Sequence, residues 1–225
     1  MSESFSEGTA ATYEAWYETP EGQRADRLEK AALARMLTTF PEARTLLEVG
    51  CGTAHFTRWL NAQGWKALGL DISPSMLEQA RVLNGRLLVR GDAHQLPVSD
   101  GGVDLSMMVT TLEFLERPSA AVAESLRVSR LGLVLGVLNR CSFLGMLRRW
   151  RSLFHRSVYD DARFFSIRGL QLLLQLAAPE AEVLDWVTTL YPTIWPFRQP
   201  WGRWGGFIAM AVAPEGFRGP ASPTW

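Results

Sequence analysis

The chain has 225 residues, 47% of them hydrophobic, with 23 basic and 23 acidic side chains and a formal net charge of zero. This fits a single well-buried domain over 1–225 and excludes any global electrostatic pull towards nucleic acid. Two cysteines, Cys51 and Cys141, make neither a disulfide framework nor a zinc site.

The first residues, MSESFSEGTA, lack the basic and apolar regions of a secretory signal, and no apolar run reaches the length of a membrane span. With so few cysteines, a reducing cytoplasm is the expected setting. Tyr13, Trp16 and Tyr17 then fall at helical spacing, on one face of a turn. Pro20 and Gly22 predict a break before a helix over 24–38. Residues 1–40 therefore read as an N-terminal lid segment, the aromatic face either stapling it to the domain or covering a ligand.

A short apolar strand is expected at 45–49, followed by the turn Gly50-Cys51-Gly52 and a helix in which Phe56, Trp59 and Leu60 recur at helical spacing. Glycines there admit backbone angles closed to other residues and let a ligand approach the main chain. The helix N-terminus would then aim free N–H groups at that ligand. A second strand over 67–70 ends at Asp71, and Ser73-Pro74 opens a helix carrying Met76, Leu77 and Ala80. Strands follow at 87–90, 103–109 and 131–138, with a helix from Pro118 to about 128 between the last two. Strands alternating with helices at this spacing predict a parallel, doubly wound sheet that binds ligands outside its carboxyl ends.

The alternation stops at residue 140. Over 140–168 the sequence holds seven arginines against two aspartates, the strongest compositional shift in the chain, and reads as a basic cap insertion. Ser166 can cap a helix over 167–177. Strands at 183–190 and 206–213 are joined by a proline- and tryptophan-rich connection with no room for a covering helix, so they should form an antiparallel hairpin.

A strand, a glycine turn and an acid about twenty residues later also describe nicotinamide-binding folds. Here the third glycine of that fingerprint is missing and Glu48 precedes the turn. A carboxylate there repels a pyrophosphate and suits a cofactor with a cationic amino group or sulfonium, which points to S-adenosylmethionine.

EVGCGTA, LGLDIS, GDAHQLP and VDLSMMVTTLEFL, in this order, resemble the cofactor motifs of class I S-adenosylmethionine-dependent methyltransferases, in particular the type 11 domain group. The resemblance covers roughly residues 40–140. It implies a Rossmann-like sheet of seven strands in the order 3-2-1-4-5-7-6 with strand 7 antiparallel. It also implies that Glu48, Gly50, Cys51 and Gly52 line the methionine moiety, with Thr110 nearby at the end of the fourth strand. Asp71 would accept from both ribose hydroxyls, Ile72 and Met76 would flank the adenine, Asp92 would accept from its amine, and the Ala93 N–H would serve a ring nitrogen. The segment YEAWYETPEG resembles the family's lid, in which Tyr13 and Tyr17 would close over the cofactor. Ala54 departs from the family's third glycine. Thr110-Thr111-Leu112-Glu113-Phe114 lacks the histidine common in relatives, so no base is handed over.

Glu113, His55 and Tyr17 are the candidates for catalytic work, although Glu113 reads more readily as a cap of the following turn and His55 could be an ordinary helix residue. No metal ligand set is visible. Methyl transfer from an activated sulfonium asks mainly for positioning in a dry pocket, and a base matters only for some acceptors. A small-molecule acceptor, anionic or lipid, fits the basic insertion, whose MLRRWRSLF stripe leaves room for peripheral membrane contact. The alternative is a non-catalytic cofactor-binding or partner-binding protein on the same fold.

Overall fold

The computed structural model describes residues 14–140, 163–191 and 204–217. Tyr13, most of the basic insertion and most of the connection between the last two strands lie outside them. Seven strands form one sheet: β1 (Thr45–Val49), β2 (Lys66–Asp71), β3 (Leu88–Arg90), β4 (Val103–Val109), β5 (Ser129–Leu138), β6 (Glu182–Thr189) and β7 (Phe207–Ala213). Their order is β3-β2-β1-β4-β5-β7-β6, with β7 antiparallel to both neighbours and the other pairings parallel. The expected topology is therefore the observed one.

Helices α1 (Pro20–Leu37), α2 (His55–Ala62), α3 (Pro74–Val82), α4 (Pro118–Val128) and α5 (Ile167–Ala177) cover the sheet. Side chains in a strand alternate between faces, and the two cores follow that period of two. Leu46, Met107, Val134 and Phe207 pack with Leu33 and Met36 of α1 and Phe56 and Leu60 of α2. Leu47, Met108, Leu133 and Ile208 pack with Val122 of α4 and Leu170 of α5 on the opposite face. Glu48, between Leu47 and Val49, shares the face of α1 and α2.

The largest shift in a predicted boundary is at the start of α1. Pro20 and Gly22 do not break the chain before a helix at residue 24; Pro20 is the first residue of α1, and the Thr19 hydroxyl caps it by accepting the Gly22 N–H at 3.0 Å. Residues 14–18 form a separate helical turn that folds back so closely that a Cβ on Gly22 would stand 2.0 Å from the Trp16 carbonyl oxygen. Glycine at 22 is thus a packing requirement. Among the described residues no helix is long and apolar enough to cross a membrane.

Candidate functional site

The carboxyl ends of β1, β2 and β4 meet at the glycine turn. Gly50 and Gly52 have φ of 75° and 53°, a region that glycine enters without penalty. The N–H groups of Gly50 and Cys51 both donate to the Leu70 carbonyl, at 2.7 and 2.9 Å, which draws the turn over the end of β2. A Cβ on Gly50 would strike the Thr111 side chain at 2.3 Å, whereas one on Gly52 would meet no atom of the described residues within 4 Å. The turn is therefore closed on its β4 side and open above Gly52, where a ligand can reach the backbone.

Asp71, at the end of β2, frames that opening. Its Oδ2 accepts the Gly52 N–H and its Oδ1 the Ser73 N–H, both at 2.8 Å. Burial raises the carboxyl above its ordinary range, while these N–H groups work the other way. Each oxygen keeps a lone pair for a further donor, which suits a diol. Ile72 is half-buried, and Met76 is buried on the first turn of α3 behind the Ser73 cap.

Glu48 lies beneath the turn. The Thr57 hydroxyl of α2 donates to its Oε2. Burial pushes its carboxyl up to about 8, with a further rise from Asp71 and opposition from Thr57 and Arg58. The same burial, with the charges of Glu48 and Asp71, raises the Cys51 thiol and leaves it an unreactive filler. A cation placed above the turn would relieve this crowding of acids.

Two non-glycine residues take left-handed backbone angles here: Ala54, where the third glycine would stand, at φ 61°, and Thr110 at φ 50°. For a β-branched residue this conformation costs about 1–3 kcal/mol and marks a place where position matters more than comfort. The neighbouring Thr111 hydroxyl lies 3.2 Å from the Val49 carbonyl oxygen and 3.3 Å from that of Gly50, locking the end of β4 to the turn. Sequence reading passed over Thr111, Thr53 and Thr57. Their only signal was a small hydroxyl beside each motif.

The N-terminal turn docks on the start of α2 through two residues one helical turn apart. Glu14 accepts from the Thr53 hydroxyl and pairs with Arg58 at 3.1 Å. Tyr17 stacks on His55, with ring centroids 3.9 Å apart and planes 8° from parallel. His55 Nε2 lies 2.6 Å from Asp26, whose carboxyl is held below its usual range by His55 and Lys30 against the effect of burial. Tyr17 and His55 thus stand together beside the turn, and Tyr13 lies outside the described residues.

Asp92 and Ala93 follow β3, where the Gly91 N–H donates to the Asp71 carbonyl at 3.0 Å and ties the segment to β2. Asp92 is half-exposed and Ala93 buried. On the other side of β4, Glu113 is enclosed at 1% exposure, and its Oε1 accepts the Leu138 N–H at 2.7 Å. Its Oε2 is buried without a partner among the described residues, and burial pushes the carboxyl up to about 8, opposed by N–H groups of Leu138 and Glu113. Glu113 is therefore a brace of the β4 and β5 ends, its bonded partner lying on β5 and not in the turn that follows it. The described residues of the basic insertion join that brace: Arg163 N–H donates to the Glu113 carbonyl at 2.9 Å and Arg140 N–H to the Phe165 carbonyl at 2.7 Å. Among the described residues no group of His, Cys, Asp and Glu could hold a metal ion.

Residues 47–135 match a family model described as a methyltransferase domain. An uncharacterized protein of Mycobacterium tuberculosis is 33% identical over 167 residues, 73% of this chain and 56% of the relative, so the chain spans just over half the length of that curated relative. Malonyl-[acyl-carrier protein] O-methyltransferase of Serratia marcescens is 34% identical over 91 residues, 40% of this chain and 36% of that one. A solved S-adenosylmethionine-dependent methyltransferase of Thermotoga maritima, a possible histamine N-methyltransferase, superposes with a TM-score of 0.70 at 28% identity, covering 93% of this chain and 98% of that chain. The magnesium protoporphyrin IX methyltransferase of Synechocystis, solved with S-adenosylhomocysteine, shares the fold at a TM-score of 0.59 and 18% identity, covering 82% of this chain and 81% of that chain.

Proposed function

From a chain that belongs to the class I S-adenosylmethionine-dependent methyltransferases, with S-adenosylmethionine as its cofactor, we propose an enzyme that methylates a carboxylate oxygen of a small acidic acceptor. When bound, the cofactor supplies a methyl group on a sulfonium, open to in-line displacement. The chain's own residues orient and enclose. Asp71 offers acceptors for the ribose, Glu48 a negative environment for the cationic end, and Asp92 with Ala93 a polar edge for the adenine, between Ile72 and Met76. Tyr17, stacked on His55, shields the turn from water.

The observation that carries the acceptor class is the enclosure of Glu113. The carboxyl nearest the end of β4 is buried and committed to the Leu138 N–H, so it is not open to an acceptor as a base. His55 has its Nε2 held by Asp26 and its ring covered by Tyr17. An acceptor that is already ionised needs no base. The arginines of 140–168 suit such an anion, with Arg140 and Arg163 flanking the Glu113 brace. Similarity to O-methyltransferases acting on a malonyl-[acyl-carrier protein] supports the same class.

The test offers methyl-labelled cofactor with short-chain dicarboxylic acids and malonyl thioesters, beside matched alcohols and amines. Carboxylate methylation gives an ester that alkali cleaves to labelled methanol. Label that resists alkali would overturn the acceptor class. Tight cofactor binding without labelled product from any acceptor class, or from a metabolite extract, would favour the non-catalytic alternative.

A further inference from the structure

We infer that His94 is a positioning residue for the adenine end of the cofactor, fixing the Asp92 carboxylate so that one oxygen stays free for an amino donor. The inference rests on the reading of Asp92 as the adenine acceptor and adds what makes that acceptor selective.

Two donors of one residue converge on one atom. Asp92 Oδ1 lies 2.9 Å from the backbone N–H of His94 and 2.7 Å from its Nδ1. The ring contact needs the tautomer with hydrogen on Nδ1. Asp92 Oδ2 has no hydrogen-bond partner among the described residues. The His94 ring is tucked inward at 10% side-chain exposure, while Asp92 is 49% exposed, so the buried partner holds the open one. A Gln95 N–H bond to the Asp92 carbonyl at 3.1 Å fixes the backbone of the same turn.

An unrestrained aspartate rotates broadly about its last torsion, and its two oxygens are interchangeable. With Oδ1 claimed twice, rotation is stopped and Oδ2 keeps a defined direction. The His94 backbone N–H, helped by its ring, also holds the Asp92 carboxyl below its usual range, so Oδ2 is an acceptor only. An acceptor-only oxygen bonds the exocyclic amine of adenine and repels the carbonyl that replaces it in hypoxanthine. The selective group is Asp92, and His94 acts through it.

The experiment measures, by calorimetry, the affinities of S-adenosylhomocysteine and S-inosylhomocysteine, which differ at that position and at the adjoining N1, so that the change on altering His94 isolates the Asp92 contact. A hydrogen bond to a charged group is worth about 1.5–3 kcal/mol, so the unaltered protein should prefer the adenine form by at least tenfold. His94→Phe keeps the ring volume and the backbone N–H and loses the Nδ1 donor; the preference should fall at least threefold, chiefly through weaker adenine binding. His94→Asn returns a donor close to the Nδ1 position and should restore most of it. Melting temperatures of both variants control for folding. Equal binding of the two nucleosides by the unaltered protein would overturn the Asp92 reading and this inference with it. A clear preference that survives unchanged in His94→Phe would overturn the inference alone.

Discussion

Glu48 and Glu113 stand near the carboxyl ends of neighbouring strands, both buried, both with carboxyls pushed up to about 8, and they serve opposite purposes. Around Glu48 the field is charged: Asp71 raises its pKa, Arg58 lowers it, and the space above Gly52 is open. Around Glu113 burial acts against N–H groups alone, and one oxygen is left unpartnered. On the proposed reading, the Glu48 end is thus prepared for a charge that arrives with the cofactor. The β4–β5 end is braced, and its carboxyl holds backbone in place.

The largest expected effects separate the two ends. Asp71→Ala removes the acceptor of the Gly52 and Ser73 N–H groups together with the proposed ribose contact. Cofactor affinity measured by calorimetry should fall about a hundredfold or more, since two charge-assisted bonds are each worth about 1.5–3 kcal/mol. Glu113→Ala should leave that affinity within a few-fold and instead lower unfolding free energy by about 2–4 kcal/mol. It orphans the Leu138 N–H and opens a buried space. Glu113→Gln should recover most of the stability. If Glu113→Ala abolished cofactor binding in a folded protein, the division between the two ends would collapse.

Linkage sharpens the contrast. A carboxyl whose native pKa lies above its unfolded value stabilises the fold fully at low pH and loses that contribution as pH rises from about 4.5 to about 8. In this window the unfolded chain has released a proton that the native state retains. Each group can contribute a slope of up to about 1.4 kcal/mol per pH unit. Denaturation followed across that range should show stability falling with pH, and Glu113→Gln and Glu48→Gln should each flatten the fall. Only Glu48 should respond to the cofactor. Calorimetry at pH 7 in buffers of different ionisation enthalpy should detect proton release on S-adenosylmethionine binding, lost in Glu48→Gln and kept in Glu113→Gln. Loss in the Glu113 variant instead would reverse the assignment.

The parallel sheet, the terminal hairpin and the glycine turn were legible because each is local chemistry written at fixed spacing, and the strand order because the motifs resemble those of a family that has it. Alternating strands and helices imply parallel crossovers, and the short 191–205 connection forces β6 and β7 to run antiparallel. The start of α1 was misread since proline and glycine are breakers in isolation. Thr19 turns Pro20 into a first helical residue, and Gly22 answers a contact with Trp16 that no local rule contains. Thr111 and the ties among Glu14, Thr53 and Arg58 are contacts between distant segments, so residue type alone could not announce them. Glu113 was left between base and cap because its role depends on which strand end it faces.

The N-terminal turn belongs with the cofactor end if its contacts couple to the ligand. Tyr17→Ala deletes the stack on His55 and uncovers the turn. An aromatic pair is worth about 0.5–1.5 kcal/mol, so cofactor affinity should drop about three- to tenfold with little change in melting temperature. Glu14→Gln, which weakens a partly exposed ion pair with Arg58, should have a smaller effect that fades in high salt. A Tyr17→Ala protein that bound S-adenosylmethionine unchanged would show that this turn is packing and no part of the site.

Ala54 gives the finest test of how much strain the cofactor end stores. Its left-handed φ of 61° costs about 1 kcal/mol relative to glycine, while its buried methyl contributes about 0.8 kcal/mol of apolar burial. Ala54→Gly should therefore change unfolding free energy by less than about 0.5 kcal/mol, the two terms offsetting. Its effect on cofactor affinity should be a loss of no more than about twofold, because a freer turn must be ordered again on binding. Thr110→Gly is the matching change across the site, at φ 50° on a half-buried threonine, where the strain relieved exceeds the burial lost. Stabilisation at 110 with neutrality at 54 would locate the stored strain at the end of β4, and equal responses would mean that the turn and the strand end are strained alike.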